Sequence, residues 1–320
     1  MPQEHDNSYS ITLTTLLASM RKIVPLLKDK RVFEIYCNED GYVRVDSLGK
    51  GRTLTEVVLT SAERKNIILN VAALTNQVMD MTKPCLDADI PANPYFPKCR
   101  FEGNLPNIVT EPTLNIRKHP ETIFTLDDYV KEGIMTEHQK DIITTAIKEK
   151  KNIVEAGGTK SGKTTLPNAI LAEISKYDDR VIIIEDTPEL QCAAKDKVQM
   201  RATRTFTMAD CLHQVLRMTP DRIVVGEVRG GEALDLLEAW FTGHPGGCST
   251  VHSNSAVDTL LRLQNMTARV SKNPQQDTIV RAVNIIVYLK YVGGTRKIEQ
   301  IIGVDGYDAN RHAYLYHEIK

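Results

Sequence analysis

The segment that most constrains this chain is the loop GGTKSGKT at residues 157–164. It matches the pattern GxxxxGK[ST], it follows the apolar run NIVEA at residues 152–156, and a helical run follows it. A strand, this loop and a helix together form the context in which such a loop binds phosphate. The loop therefore predicts a nucleotide site in an α/β domain.

The residue types of the loop explain the prediction. Small residues let successive backbone N–H groups face the phosphates, and the helix N-terminus adds about half a positive charge. Lys163 reaches the β and γ oxygens, and the Thr164 hydroxyl is placed to hold Mg²⁺. We predict ATP and Mg²⁺ as ligands, with the ATP-binding loop formed by Gly157, Gly158, Thr159, Lys160, Ser161, Gly162, Lys163, Thr164 and Thr165.

Two residues depart from an ideal loop. Lys160 stands where many such loops have Gly, and a left-handed backbone there costs a side chain about 1–2 kcal/mol. Pro167 lies near the end of the first helical turn, where it removes a hydrogen bond and clashes with the carbonyl four residues back. Both departures are expected to slow turnover more than they weaken binding.

Short apolar runs alternate with helical stretches through the second half of the chain. The runs lie at residues 152–156, 180–186, 222–227 and 248–251. This alternation predicts a parallel sheet covered by helices on both faces. Two further runs, at residues 283–289 and 297–304, flank Gly293 and Gly294 and predict an antiparallel edge.

Carboxylates end two of these apolar runs. RVIIIED ends in Glu185 and Asp186, and RIVVGE ends in Glu227. The carboxyl ends of strands in an open α/β sheet share the edge where a P-loop holds its γ-phosphate. We expect Glu227 to orient the attacking water or to hold it through the outer shell of the metal. We expect Glu185 to bind Mg²⁺, directly or through water, or to tune the same site.

Two histidines flank the run CSTV. His252 follows it, so it is expected at the same sheet edge as the loop, where it can sense the γ-phosphate or its water; His244 precedes it. No third ligand lies nearby in sequence, so the two histidines do not indicate a metal pair.

The first part of the chain predicts a smaller α+β module. Apolar residues recur at helical spacing from about residue 11 to 27, with Pro25 expected to bend or end the helix. The runs VFEIYC and YVRVDS flank an Asp-Gly turn and predict a hairpin, and Thr60 with Glu63 predicts a capping box. A proline-rich stretch follows to about residue 120, and we place the domain boundary at its end. Beyond it, Thr136 with Gln139 predicts a second capping box.

Composition excludes several classes of protein. Lys and Arg number 40 against 41 Asp and Glu, which gives a net charge of −1 and makes direct nucleic-acid binding unfavourable. No apolar run approaches the ~18 residues that a membrane span needs, and the first residues are unlike a signal peptide. The six cysteines form no CxxC pair, which argues against zinc and redox motifs. These features predict a cytoplasmic protein.

Four linked segments resemble the secretion ATPases of type IV secretion and conjugative transfer, and most closely the TrbB-like conjugal transfer ATPases. They are GGTKSGKTT, IEDTPEL (184–190), the stretch from Leu216 to Trp240, and TGHPGGCSTVHSNSA (242–256). They resemble the Walker A, Asp box, Walker B and His box of that family, in the family's order. The resemblance extends weakly upstream through CRFEGNLPNIV and NIRKH and covers most of the chain.

The resemblance implies roles for particular residues. Lys163 and Thr164 contact phosphate and Mg²⁺, Glu185 belongs to the Asp box, Glu227 is the Walker B glutamate, and His252 and His244 form the His box. Arg117 resembles an N-domain arginine that reaches the γ-phosphate when the domains close on nucleotide. Arg201 and Arg204 are candidates for a contact in trans within a ring. The Gly230-Gly231 pair replaces an acidic position of many relatives and fits the TrbB-like branch.

The resemblance also implies an architecture. It consists of a small PAS-like N-terminal domain at residues 1–117, a linker at 118–135 and a RecA-like P-loop ATPase domain at 136–320. Six subunits form a ring, with ATP at the cleft between the domains. The ring then works as a motor at the cytoplasmic side of a type IV secretion or conjugation apparatus, peripheral at the inner membrane and docked on inner-membrane components of the channel.

Three other functions remain open on the sequence. The nearest is a type II secretion or type IV pilus assembly or retraction ATPase, although many of these carry a CxxC pair that this chain lacks. Another is a nucleotide-gated structural ring in which Lys160 and Pro167 have slowed hydrolysis. The third is a DNA or RNA translocase, which the near-neutral charge disfavours.

Overall fold

A computed structural model describes residues 2–47, 50–80, 82–119, 123–158, 165–203, 205–292 and 295–319. The chain divides into two compact units, residues 1–122 and residues 123–320, each with its own β-sheet. We call them the first and the second unit. In the described residues, no helix is both long enough and apolar enough to cross a membrane.

The first unit is an antiparallel sheet with helices. Its six strands lie in the order β3-β2-β1-β6-β5-β4. The elements in chain order are α1 (Pro2–Ser19), α2 (Val24–Lys28), β1 (Val32–Cys37), β2 (Tyr42–Ser47), β3 (Gly51–Val58), α3 (Ser61–Leu74), β4 (Cys85–Ile90), β5 (Cys99–Asn104) and β6 (Thr113–Lys118).

Local signals in the first unit are mostly confirmed. Strands β1 and β2 form the predicted hairpin, and Gly41 turns it with a φ of 80°, a conformation that glycine adopts without steric cost. Thr60 and Glu63 form the predicted capping box. The first helix differs from the prediction, because α1 ends at Ser19 and Pro25 lies in the first turn of a separate helix, α2. A proline in that turn loses no helical hydrogen bond, so it starts α2 rather than ending α1.

The proline-rich stretch contributes three strands to this sheet, β4, β5 and β6. Because β6 pairs with β1, the stretch closes the sheet rather than leading away from it. Helices α1 and α3 supply apolar side chains to the buried core, among them Leu16, Ile67, Ile68 and Val71. The first unit is thus the α+β module that the sequence predicts.

The second unit is a mixed eight-stranded sheet in the order β14-β13-β12-β7-β11-β10-β8-β9. Its elements are α4 (Leu126–Lys131), α5 (Glu137–Lys148), β7 (Ile153–Gly157), α6 (Thr165–Ile174), β8 (Val181–Glu185), β9 (Lys197–Arg201), α7 (Met208–Val215), β10 (Arg222–Glu227), α8 (Glu232–Phe241), β11 (Cys248–His252), α9 (Ala256–Thr267), α10 (Gln276–Ala282), β12 (Ile285–Val292), β13 (Thr295–Asp308) and β14 (Ala313–Glu318).

The predicted parallel sheet and its antiparallel end are both confirmed. Strands β12, β7, β11, β10, β8 and β9 run parallel, and β13 and β14 extend the sheet in antiparallel fashion. Two separate apolar clusters cover its faces, one containing Val154 and Ile182 and the other containing Ile153 and Ile183. Residues adjacent in a strand point to opposite faces, so these near-continuous apolar strands bury both sides.

The segment predicted as a linker, residues 118–135, is partly folded. The division between the units falls inside it, and residues 123–135 belong to the second unit. A capping box between Thr125 and Asp128 starts α4, and Tyr129 of this helix is buried. A second capping box, between Thr136 and Gln139, starts α5 as predicted. The family resemblance implies the linker, whereas the Thr125–Asp128 capping box is a local signal for a helix.

A buried asparagine joins three segments at the amino end of the sheet. Asn152 Oδ1 accepts hydrogen bonds from the backbone N–H groups of Gly246 (2.7 Å) and Gly247 (3.2 Å). Its Nδ2 donates to the carbonyl of Ala282 at 2.7 Å. Asn152 therefore aligns β7 with the chain that enters β11 and β12, which sets the register of the strand that leads into the phosphate loop.

Candidate nucleotide site

Four of the predicted residues lie at one edge of the second unit's sheet. Gly157, Glu185, Glu227 and His252 are the last residues of β7, β8, β10 and β11, which run parallel. His252 pairs in register with Gly157, and the Ser253 N–H donates to the Gly157 carbonyl at 3.4 Å. The parallel topology therefore brings together side chains that are far apart in sequence, as the sequence reasoning expects.

The described part of the phosphate loop is its two ends. Gly157 ends β7, Gly158 follows it, and Thr165 begins the described part of α6. Thr159, Lys160, Ser161, Gly162, Lys163 and Thr164 lie outside the described residues. Pro167 is the third residue of described α6 and is buried. The carbonyl four residues before it belongs to Lys163, so the expected clash also lies outside the described residues.

Glu185 is a buried carboxylate held by the backbone. Its Oε1 accepts hydrogen bonds from the N–H groups of Glu189 and Leu190, both at 2.8 Å. Burial raises the pKa of Glu185 above its usual value, and these two N–H groups oppose that shift. A Cβ on Gly226 of neighbouring β10 would lie 3.1 Å from Glu185 Cγ, so the glycine leaves room for this side chain. The carboxylate is thus fixed in place, and a cation beside it would favour its charged form.

Glu227 is held by an arginine to which the sequence analysis assigns no role. Glu227 Oε2 lies 2.7 Å from Arg229 Nη2, and Arg229 Nη1 lies 2.9 Å from Asp186 Oδ2. Asp186 directly follows β8, and β8 is the neighbour of β10 in the sheet. The guanidinium therefore joins the ends of two strands. Glu227 raises the pKa of Arg229, so the guanidinium stays charged.

A second residue missed by the sequence analysis is Asn168 of α6. This buried side chain accepts a hydrogen bond from the Gln191 N–H at 2.7 Å and donates to the Glu189 carbonyl at 3.4 Å. These hydrogen bonds connect α6, the helix after the phosphate loop, to the loop that follows Glu185. An asparagine inside an apolar helix is the signal that could have found it, because such a residue needs buried partners.

The two histidines lie at opposite edges of the sheet. His252 ends β11 at the carboxyl edge and is exposed. His244 precedes β11, and its Nδ1 lies 3.1 Å from the carbonyl of Pro220, which precedes β10. His244 is therefore at the amino edge, and the structure does not bring it to Glu185 and Glu227 within this chain. The resemblance assigns both histidines to the His box, and β11 separates them, as expected of residues on either side of the run CSTV.

The predicted arginines fall in different places. Arg201 is exposed at the end of β9 and pairs in register with Glu185, so it lies at the carboxyl edge on the last strand of the sheet. Arg204 lies outside the described residues. Arg117 is exposed on β6 of the first unit, in register with Glu34 and Arg100.

The residues at this edge fit Mg²⁺ as a ligand. Hard divalent cations prefer oxygen donors, and a magnesium ion is commonly held through one or two carboxylates together with phosphate oxygens. Glu185 and Glu227 place carboxylates on neighbouring strands β8 and β10. Thr164, the other predicted ligand, is outside the described residues.

The fold and the site define a class: the second unit is a P-loop ATPase domain, and an α+β domain precedes it. The sequence pattern of the family described as "Type II/IV secretion system protein" matches residues 97–293. The chain belongs to this family, as one of its type IV secretion and conjugal transfer traffic ATPases. It is 43% identical over 288 residues to the conjugal transfer protein TrbB of Rhizobium radiobacter, covering 89% of this chain and 88% of that protein.

More distant relatives agree with this placement. The chain is 29% identical to the type IV secretion system protein VirB11 of Bartonella quintana, covering 91% of this chain and 93% of that protein. Among solved structures, the ATPase DotB of Legionella pneumophila superimposes with a TM-score of 0.64 at 21% identity, covering 87% of this chain and 78% of that one. The pilus retraction motor PilT gives 0.65 at 19% identity, covering 93% and 82%. These two structures support the fold.

Proposed function

We propose that this protein hydrolyses ATP and powers a type IV secretion or conjugative transfer apparatus. The observation that carries the proposal is the meeting of Glu185, Glu227 and His252 beside Gly157 at the carboxyl edge of one parallel sheet. The similarity to TrbB over 89% of the chain supports conjugation as the process. Pilus biogenesis or substrate transfer is the work to which hydrolysis is coupled.

The residues at the edge divide the chemistry between them. Lys163 and the loop N–H groups bind the phosphates, and Glu227 orients the attacking water. We assign to His252 a hydrogen bond to the γ-phosphate or to that water. Mg²⁺, when bound, neutralises phosphate charge, and Thr164 and Glu185 are the residues that hold it, Glu185 directly or through water.

We further propose that six subunits form a ring and that each subunit closes on its nucleotide. Binding of the γ-phosphate by the second unit and by Arg117 of the first unit would favour the closed state. Hydrolysis would remove the γ-phosphate contacts that stabilise that state. Arg201, at the last strand of the sheet, and Arg204 are candidates for the contact in trans. Such an arginine accelerates phosphoryl transfer by about 10³–10⁵ in other enzymes.

The location and partners follow from the same proposal. The ring acts at the cytoplasmic side, peripheral at the inner membrane, and docks on inner-membrane components of the channel. Its partners are proteins, since a net charge of −1 supplies no general attraction for nucleic acid.

Steady-state hydrolysis of ATP with and without Mg²⁺ tests the proposal. We expect Lys163→Ala to abolish turnover and Glu227→Gln to reduce kcat by roughly 10²–10⁴-fold, the usual contribution of a positioned base. Glu318→Gln, an exposed carboxylate on β14, is the matched control and should retain wild-type rates. Tight ATP binding with turnover at background would instead favour the nucleotide-gated ring.

Light scattering on the same sample tests the ring. We expect the hexamer mass in the presence of ATP and Mg²⁺. A monomer under every nucleotide condition would contradict the ring motor.

A further inference from the structure

The Arg229 guanidinium makes a two-pronged contact with the two strand ends of the site. Nη2 lies 2.7 Å from Glu227 Oε2, and Nη1 lies 2.9 Å from Asp186 Oδ2. Both prongs are charge-assisted hydrogen bonds, which are shorter and stronger than neutral ones. An arginine presents its donors in a rigid planar fork, so binding both carboxylates fixes the guanidinium and, through it, the direction of the Glu227 carboxylate.

The backbone of Arg229 is itself anchored. Glu232 Oε1, in the first turn of α8, accepts hydrogen bonds from the N–H groups of Arg229 (2.7 Å) and Gly230 (2.8 Å). The Arg229 carbonyl accepts a hydrogen bond from Arg269 at 3.3 Å. The preceding residue, Val228, donates its N–H to the Thr250 carbonyl of β11 at 3.1 Å. Both ends of the side chain are therefore restrained, although it is largely exposed.

Charge explains why a cation is needed at this point. Glu185 and Glu227 end the adjacent strands β8 and β10, and Asp186 directly follows β8, so three carboxylates lie at this edge. A nucleotide would bring further negative charge to the same edge. Without a cation between Asp186 and Glu227, their repulsion would turn the two side chains apart.

We propose that Arg229 is a positioning residue for Glu227, holding its carboxylate, through the anchor on Asp186, in the orientation that directs the attacking water. This inference rests on the proposed function. Arg229 acts on the reaction through Glu227 and not by contact with the nucleotide. Its loss therefore lowers the rate of the chemical step and leaves ATP binding unchanged.

The test compares kcat and KM for ATP in the wild type and three single variants of the full chain. We expect Arg229→Ala to lower kcat by roughly 10–100-fold, the cost of misplacing a catalytic group by about 1 Å, with KM within about twofold of wild type. Arg229→Lys keeps one charge but cannot form the fork, so it should restore kcat only in part. Arg311→Ala removes an exposed arginine paired with Asp308 at the amino edge of the sheet and is the matched control.

A double-mutant cycle separates positioning from a general structural effect. Asp186→Asn should lower kcat by less than Arg229→Ala does, and it should add no further loss when Arg229 is already Ala. Unfolding temperatures measured on the same variants show whether each one is folded. If the fold-losses in kcat of the two single variants multiply in the double variant, Asp186 and Arg229 act independently, which would contradict coupling through the Arg229 guanidinium.

The outcomes distinguish this proposal from the proposed function. If wild type shows no turnover that depends on Lys163, the proposed function fails and this inference fails with it. If that turnover is present and Arg229→Ala retains wild-type kcat, only the role of Arg229 is refuted. A KM for ATP raised tenfold or more at unchanged kcat would likewise refute it, because Arg229 would then bind the nucleotide itself.

Discussion

A buried carboxyl on the strand that leads into the phosphate loop makes stability depend on pH. Glu155, in the middle of β7, is 0% exposed and pairs in register with Thr250 and Val287. Neither of its oxygens has a hydrogen-bond partner among the residues that the structure describes. The buried thiol of Cys248 is near enough to interact with it. Burial is the main cause that raises the pKa of Glu155 well above its ordinary value of 4.5.

The sign and size of the effect follow from proton linkage. Between pH 4.5 and the raised pKa of the folded state, the folded protein holds one proton on Glu155 that the unfolded chain has released. The free energy of unfolding therefore falls by about 1.4 kcal/mol for each pH unit across this window. For a domain of this size that corresponds to roughly 3–6 °C in Tm per pH unit.

Glu155→Gln keeps the shape of the side chain and replaces the titrating carboxyl group with an amide that does not titrate. We expect its Tm to exceed that of wild type by an amount that grows as pH rises within the window, measured by thermal denaturation at a series of pH values. Other titrating groups are common to both proteins and cancel in the difference. The exposed Glu318→Gln is the control and should follow wild type at every pH. A difference between wild type and Glu155→Gln that does not change with pH would refute the reasoning.

Two further substitutions test the architecture of the site. Gly226→Ala puts a Cβ 3.1 Å from Glu185 Cγ, so we expect a several-fold fall in kcat for ATP from the displaced carboxylate, while Gly306→Ala, whose Cβ meets its nearest atom at 3.7 Å, retains wild-type kcat. Asn152→Ala leaves three buried backbone groups without their partner, so we expect urea denaturation to show a loss of roughly 2–4 kcal/mol in the free energy of unfolding. The exposed Asn310→Ala should leave that free energy unchanged.

Much of the fold is readable from local patterns. Alternating apolar runs predicted β7, β8, β10 and β11, and the capping boxes at Thr60 and Thr136 predicted where α3 and α5 begin. These features depend on neighbours within a few residues, so the sequence carries them directly. Strand β3 and helix α4 were missed. Helix α4 has a capping box, but its six residues are too few to show an apolar periodicity, and β3 is placed by its pairing with β2.

The sequence by itself determined the class of site and its edge of the sheet. A parallel sheet places the carboxyl ends of its strands together, so a loop after β7 and carboxylates after β8 and β10 had to meet. The tertiary structure decided which side chains touch. It placed His244 at the opposite edge, buried Glu155 completely inside β7, and joined Glu227 to Asp186 through Arg229. Strand order, register and side-chain direction set these contacts, and all three arise from pairing and packing between distant parts of the chain.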